Sequence, residues 1–457
     1  MRLAVVGAGL AGLATAHLAL RAHPDLDVVV LEAGPESGGK VRSSLDGGFL
    51  FDWGPNGFLA NVPEMIGLVR SLGLEAHLRV ADDAAAHRYL YVDGGLRPVP
   101  TSLASFLRSD LLSPAGKLRV LSEPVLGGRS RHEESVHTFI ARHFGHEAAR
   151  VFGGVFVAGV TAGDPRDLSL DALFPRLRIL EASHGSLLRG LAAARAGERH
   201  ASPEAHLTTL AGGMQTLVDA LAASMGSRLR TGVRVTSLDD RGRPGGGPIV
   251  LGTEAPGGPA TVEAEAVALA VPAFIAAELL AATTPEAAGL GAIRYADVAV
   301  AALGYDRIDV PTVLDGVGLL APRGEGVRAL GVTWSSAIFP DQAPPGKVAL
   351  RVFGGGTHDP GYVGLDDDAL LASVRRDLTR TMGIVAEPET AHIVRWPRGI
   401  PQYGLGHLER VECARRAIAA RWPRLALVGD YLAGVGVNDV VRAAQLAATQ
   451  LTGVPRI

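Results

Sequence analysis

An α/β fold organised around a parallel-stranded dinucleotide-binding domain is predicted by three features of the chain. Residues 3–20, LAVVGAGLAGLATAHLAL, run from a short apolar strand through a glycine-rich turn into an alanine/leucine helix. A second apolar strand, DVVVLEA, places Glu32 20 residues after Gly12. Near the other end, LALVGDYLAGVGVNDVVRAAQLAATQL again reads as strand, turn and helix.

The first turn has the spacing G-x-G-x-x-G at Gly7, Gly9 and Gly12, with Ala8, Leu10 and Ala11 between them. Gly7 permits the tight turn, Gly9 lets backbone approach a pyrophosphate, and Gly12 lets helix and strand pack closely. Leu10, Leu13, Ala14 and Leu18 form the apolar side of the helix. Glu32 stands where an acid holds a ribose hydroxyl, followed by Ala33. Beyond it, Gly38, Gly39, Lys40 and Arg42 offer bare backbone and positive charge to the same pyrophosphate. The stretch closes on Asp52, Gly54, Pro55, Asn56 and Gly57.

Residues 100–200 read as mainly helical, with a helix start at Ser113-Pro114, a helix from Glu133 to His143 and a longer one across 176–195. Residues 206–238 read as turn, helix from Gly212-Gly213, and strand; 241–259 as loop and hairpin; 260–271 as a strand ending in Ala-Val-Pro. Between 295 and 395, VAVAALGY, RALGVTW and KVALRVF read as strands, and Asp366-Asp367-Asp368 opens a helix. In the last segment a helix capped near Asn438 or Asp439 follows the glycine-broken loop.

Composition narrows the function. A chain of 457 residues suits two or three domains, and a net charge of −3 gives no footprint for nucleic acid. The single Cys413 excludes an internal disulfide framework and a cysteine metal cluster. No secretory leader is expected before a strand that begins within three residues of Met1, and the longest apolar run, AVALAVPAFIAA at 266–277, is too short to span a bilayer. The expected location is cytoplasmic, with peripheral membrane contact through SLASFLRSDLLSP at 102–114. No H-E-x-x-H or G-x-S-x-G occurs, so no metal and no serine nucleophile is expected. Glu133-Glu134 reads as helix-start charge, and His143 with His146 as a solvated helix end.

The Gly38–Gly57 stretch, joined to the first motif, resembles the flavoprotein superfamily of amine oxidases, phytoene desaturases and protoporphyrinogen oxidases, which implies FAD. GGVFVAGVTAGDPRDLSLDALFP at 153–175, HRYLYVDGGLRPVP at 87–100 and RWPRGIPQYGLGHLERV at 395–411 resemble the oxygen-dependent protoporphyrinogen oxidases and the related coproporphyrinogen oxidases. The resemblance covers essentially the whole chain. It implies a Rossmann-type FAD-binding domain assembled from 1–75, 205–272 and 396–457, a helical region at 76–204, and an α+β substrate domain at 273–395. It also implies six-electron oxidation of a porphyrinogen in haem synthesis, with dioxygen reduced to hydrogen peroxide. Brief contact with the next haem-pathway enzyme is a further expectation.

Carried over by the same resemblance, the cofactor set is Gly7 to Gly12, Glu32, Ala33, Gly39, Lys40, Gly54 to Gly57, Val235, Trp396, Gly429, Asp430, Val435, Gly436 and Val437. Asp430 would bond the ribityl chain. Arg88 would meet a propionate, Gly159 the ring edge, and Val317, Leu320 and Val352 would form the apolar wall. The chemistry is flavin-driven, with Gly159 as the candidate beside the reacting ring and no certain catalytic side chain. Departures from the family pattern fall at Ala158, Thr161, Val317 and Asp430. Protoporphyrinogen is the favoured substrate, because the wall positions are uncharged, with coproporphyrinogen as the alternative. An amine oxidase or desaturase, and a porphyrin carrier without activity, are the other readings.

Overall fold

The short apolar runs at Arg2–Val6 and Asp27–Leu31 are buried on both faces, the pattern of a parallel sheet covered by helices. In the computed structural model, which describes residues 1–83, 85–198, 206–241 and 247–453, they lie at the centre of a five-stranded parallel sheet. Its order is Leu229–Arg230, Asp27–Leu31, Arg2–Val6, Ala266–Leu269 and Leu425–Leu427. One face packs on the helices Leu10–Ala22, Pro63–Ser71, Gln215–Met225 and Val437–Thr452. The other packs on Ala273–Leu280, on His407–Arg421 and on the antiparallel strands Arg234–Asp239, Ile249–Ala255 and Gly258–Ala264. Segments distant in sequence therefore build one nucleotide-type sheet.

A second sheet of seven strands lies in the order Thr390–Pro401, Tyr295–Asp306, Lys347–Gly355, Ala329–Thr333, Gly316–Leu320, His87–Val92 and Gly95–Pro98. Helix Asp367–Met382, capped by the Asp366 side chain on the Ala369 N–H at 2.8 Å, covers one face. The opposite face is covered at one end by Phe49, Phe51 and Trp53 and elsewhere lines a cleft through Val298, Val300, Leu330 and Phe353. A cluster of short helices across Leu103–Glu198 closes the remaining side.

Several elements differ from the sequence reading. The hairpin His87–Pro98 joins the seven-stranded sheet and not the helical region, Thr390–Pro401 crosses the expected boundary at 396, and Ala273–Leu280 packs on the parallel sheet. The helix expected across 176–195 is two, Pro175–His184 and Leu187–Glu198, because Gly185 takes a left-handed φ of +67° and ends the first. The strand expected at 260–271 is also two, split at Glu265. Leu207–Leu210, read as a turn, is a strand between Phe58–Leu59 and Leu78–Val80. Ser113 caps Pro114–Leu121 as expected, whereas the next long helix starts at Val136 with Ser135 as its cap. The C-terminal helix begins at Val437 on Gly436, so neither Asn438 nor Asp439 is its cap. Residues 199–205, 242–246 and 454–457 of the expected regions lie outside the described residues.

Candidate active site

The Gly7–Gly12 turn is held together by close backbone contact. A Cβ on Gly12 would sit 1.9 Å from the Gly7 carbonyl oxygen, and one on Gly7, at φ +100°, would sit 2.4 Å from that of Ala270. Gly9 is different: a Cβ there would meet nothing within 4 Å, so its bare backbone faces open space. The second glycine turn docks against the first through a Gly9–Gly38 bridge, with the Gly38 N–H donating to the Ala8 carbonyl at 2.8 Å. Glu32 fastens the turn by accepting from the Ala8 N–H at 2.7 Å and the Gly34 N–H at 2.8 Å.

Helix Leu10–Ala22 starts at Gly9 and helix Val437–Thr452 at Gly436, and neither has a side-chain cap. Their leading N–H groups and positive dipole ends are left for an anion. Both open into a single cleft of about 770 Å³, lined by Gly7, Gly9, Glu32, Ala33, Gly39, Lys40, Gly54 to Gly57, Val235, Trp396, Gly429, Asp430 and Val435 to Val437. Leu10 and Ala11 also line it, while Ala8 and Gly12 hold the turn from behind. The predicted cofactor residues thus converge from six separate stretches of chain.

Lys40 reaches across this cleft. Its ammonium lies 2.8 Å from Asp430 Oδ2 and 2.5 Å from the Gly399 carbonyl, so Asp430 already neutralises part of the charge expected to meet phosphate. Tyr403, fully buried, pins the flanking loop: its hydroxyl donates to the Asp430 carbonyl and accepts from the Gly434 N–H at 2.9 Å. Burial and nearby Asp430 push the Tyr403 phenol well above its usual range, so it stays neutral. The sequence reading did not single out Tyr403. The Trp396 indole donates to the Trp53 carbonyl at 2.8 Å, and a Cβ on Gly54 would lie 2.0 Å from the Lys40 carbonyl oxygen.

Apart from Thr333 and Arg351, the part of the cleft that belongs to the seven-stranded sheet is apolar: Val298, Val300, Leu320, Leu330, Val332 and Phe353, faced by Ala158, Gly159 and Val160 of helix Gly154–Thr161. Gly159 lies against Leu320, where a Cβ would stand 3.0 Å from Leu320 Cδ1, so its smallness serves helix-to-strand approach. Thr161 is buried and turns its hydroxyl back to the Val157 carbonyl at 2.9 Å.

Three predicted wall or substrate residues are placed elsewhere. Val352 points into the core under helix Asp367–Met382, and strand alternation gives the cleft Arg351 and Phe353 instead. Val317 packs against the cluster of Ala85, Ile338 and Phe339. Arg88 is exposed, outside the cleft lining, on the strand face that carries Leu90 toward Leu320.

Residues 10–452 match the model of the family described as flavin containing amine oxidoreductase. The chain belongs to that family. Among named relatives, a chloroplastic protoporphyrinogen oxidase of Oryza sativa is 33% identical over 98% of this chain and 87% of its own. A coproporphyrinogen III oxidase of Bacillus subtilis is 29% identical over 97% and 96%. A crystal structure from Exiguobacterium sp. 255-15, provisionally named protoporphyrinogen oxidase, superposes with a TM-score of 0.85 at 25% identity, covering 99% of this chain and 98% of that one. The cofactor of this flavin-containing family member is FAD. The site fits it: a Glu32 end for the adenine ribose, open Gly9 backbone for the pyrophosphate, and two uncapped helix N-termini.

Proposed function

We propose that this protein oxidises a porphyrinogen to the porphyrin, with dioxygen as the final acceptor and hydrogen peroxide as product. The observation that carries the reading is the apolar wall of the second sheet, continuous with the dinucleotide groove and holding no histidine among its described residues. Its acids are engaged: Glu32 by backbone N–H groups and Asp430 by Lys40. FAD, when bound, supplies two-electron acceptance at its ring system. The chain's part is orientation and water exclusion: Val298, Val300, Leu330 and Phe353 face the apolar body of a macrocycle that is puckered at its tetrahedral bridge carbons and flattens on oxidation, and Gly159 and Leu320 limit its approach. Pyrrole N–H groups release protons once the bridge carbon is oxidised, so no side-chain base is required.

Protoporphyrinogen is the preferred substrate, because Val298, Val300, Leu330 and Phe353 suit vinyl groups, and Arg351, the one arginine this wall buries, is held by the Gly54 carbonyl, which leaves few partners for buried carboxylates. Coproporphyrinogen is the second reading, supported by similarity along nearly the full length of the Bacillus subtilis enzyme named for it. Arg88, exposed outside the cleft lining on the strand face that carries Leu90, is proposed to meet one propionate. The test is oxygen-dependent growth of porphyrin fluorescence with each porphyrinogen. Arg88→Ala should raise KM about tenfold with little change in kcat. A higher kcat/KM for coproporphyrinogen would reverse the preference, and oxidation of an amine or polyene but no porphyrinogen would end the reading.

Peripheral membrane contact is proposed at helix Leu103–Arg108, where Leu103 and Leu107 are 62% and 50% exposed, whereas Leu111 and Leu112 of the same stretch are buried in the core. No helix among the described residues is long and apolar enough to cross a membrane. Flotation with liposomes tests the contact; protein that stays in the aqueous fraction removes it.

A further inference from the structure

Arg351 lies in the wall of the cleft with no acid in contact with it among the described residues. It is 1% exposed, its Nη2 donates to the Gly54 carbonyl at 2.6 Å, and its guanidinium carbon stands 4.9 Å from the Phe353 ring centroid. The buried Nε has no hydrogen-bond partner, and among the described residues no carboxylate forms an ion pair with it. The acid whose charge it feels, Asp52, is occupied by the Ser43 hydroxyl at 2.6 Å, the Met214 N–H at 2.9 Å and the Gln342 amide at 3.1 Å. Burial lowers the Arg351 pKa to about 10, which leaves it cationic at neutral pH. A buried cation in this state is costly unless negative charge arrives beside it.

Contacts along the cleft indicate where that charge comes from. Glu32 holds Ala8, Gly9 meets Gly38, Lys40 follows Gly39, and Gly54 packs on the Lys40 backbone and carries Arg351. A dinucleotide with its ribose at Glu32 and its pyrophosphate at Gly9 has its ring system toward Gly54. A substrate carboxylate, by contrast, would have to reach a guanidinium that is 1% exposed and already held at Nη2 by the Gly54 carbonyl.

We propose that Arg351 is a positioning residue for electron acceptance: a fixed positive charge under the flavin ring that raises its electron affinity, in addition to the Val437–Thr452 helix N-terminus. The proposal rests on FAD as cofactor and is independent of which porphyrinogen is used.

Sulfite is the probe, because it adds its lone pair to the oxidised ring and leaves negative charge there, and it needs no porphyrinogen. In the holoenzyme, Arg351→Gln should weaken sulfite binding about tenfold or more and shift the flavin midpoint potential negative, while Arg351→Lys stays within about threefold. Unchanged sulfite affinity in a glutamine variant that keeps its FAD overturns the proposal. So does a variant that changes only the porphyrinogen KM, which would assign the cation to a substrate carboxylate. If the glutamine variant loses FAD, the lysine variant decides, and a tenfold loss there is contrary. Wild-type holoenzyme that forms no sulfite adduct overturns it without any variant.

Discussion

Two glycines of one turn separate folding from cofactor binding. Gly12→Ala drives a methyl group onto the Gly7 carbonyl, with 1.9 Å between them before relaxation, and should cost about 3 kcal/mol or more of stability. Gly9→Ala meets no protein atom within 4 Å, and Gly9 has an ordinary φ of −74°. That variant should keep the stability of the apoprotein within about 1 kcal/mol and lose FAD affinity about tenfold or more. Chemical denaturation of both apoproteins and FAD titration check the contrast. These glycines were legible in the sequence because the spacing is that of a dinucleotide turn, in which helix-to-strand packing requires Gly12 and close approach of a pyrophosphate requires Gly9. Arg351 was not, since alternation gives two faces and only the packing of helix Asp367–Met382 on Leu350 and Val352 decides which one meets the core and which the cleft.

Among the elements, the helical region is organised by a buried charge network that local sequence does not announce. His143 is fully buried between Glu123, 2.7 Å from Nδ1, and Glu181, 3.1 Å from Nε2, and is not the solvated helix end expected from its neighbours. Glu181 also takes Arg142 at 2.6 Å and Arg178 at 2.5 Å, and Glu134 joins the same arginines. Their positive charges and hydrogen bonds hold Glu181 below the usual carboxylate range despite burial. Glu181→Gln removes one buried charge from this set and should cost about 3 kcal/mol, read by denaturation, with FAD content retained. Acid pairs and cap residues look alike in sequence; which acids are enclosed depends on helices that meet from positions 123, 143 and 181.

A second element-level test concerns His17, which joins three helices through Ser71 at 2.9 Å and Ser224 at 3.1 Å. Burial lowers its pKa to about 4 from 6.5, so the native state keeps it neutral where the unfolded chain binds a proton. Its contribution is complete above pH 6.5 and is lost as pH falls from there toward 4. Between those limits wild type should lose about 3 kcal/mol more stability than His17→Gln, measured by denaturation across pH.

At the scale of the whole molecule, three stretches remote in sequence build the parallel sheet and place two uncapped helix N-termini in one cleft. The glycine motifs and the terminal strand–turn–helix units were readable because each is local. The order of the second sheet was not, because His87–Pro98 pairs with Gly316–Leu320 across more than two hundred residues of chain, and such non-local pairing leaves no local pattern. The flavin loop 429–439 contains no cysteine or histidine to bond the ring, so acid denaturation should release all the yellow colour into solution; colour left on the precipitate would contradict non-covalent binding.

The most direct test of porphyrinogen oxidation by the bound flavin is anaerobic mixing of the holoenzyme with a porphyrinogen, followed by air. The flavin absorbance should bleach without oxygen at a rate matching or exceeding turnover, and air should restore it with three hydrogen peroxide molecules formed for each porphyrin, as six electrons in two-electron steps require. A flavin that stays oxidised under anaerobic porphyrinogen, while porphyrin fluorescence grows at the same rate with and without the protein, would contradict the account.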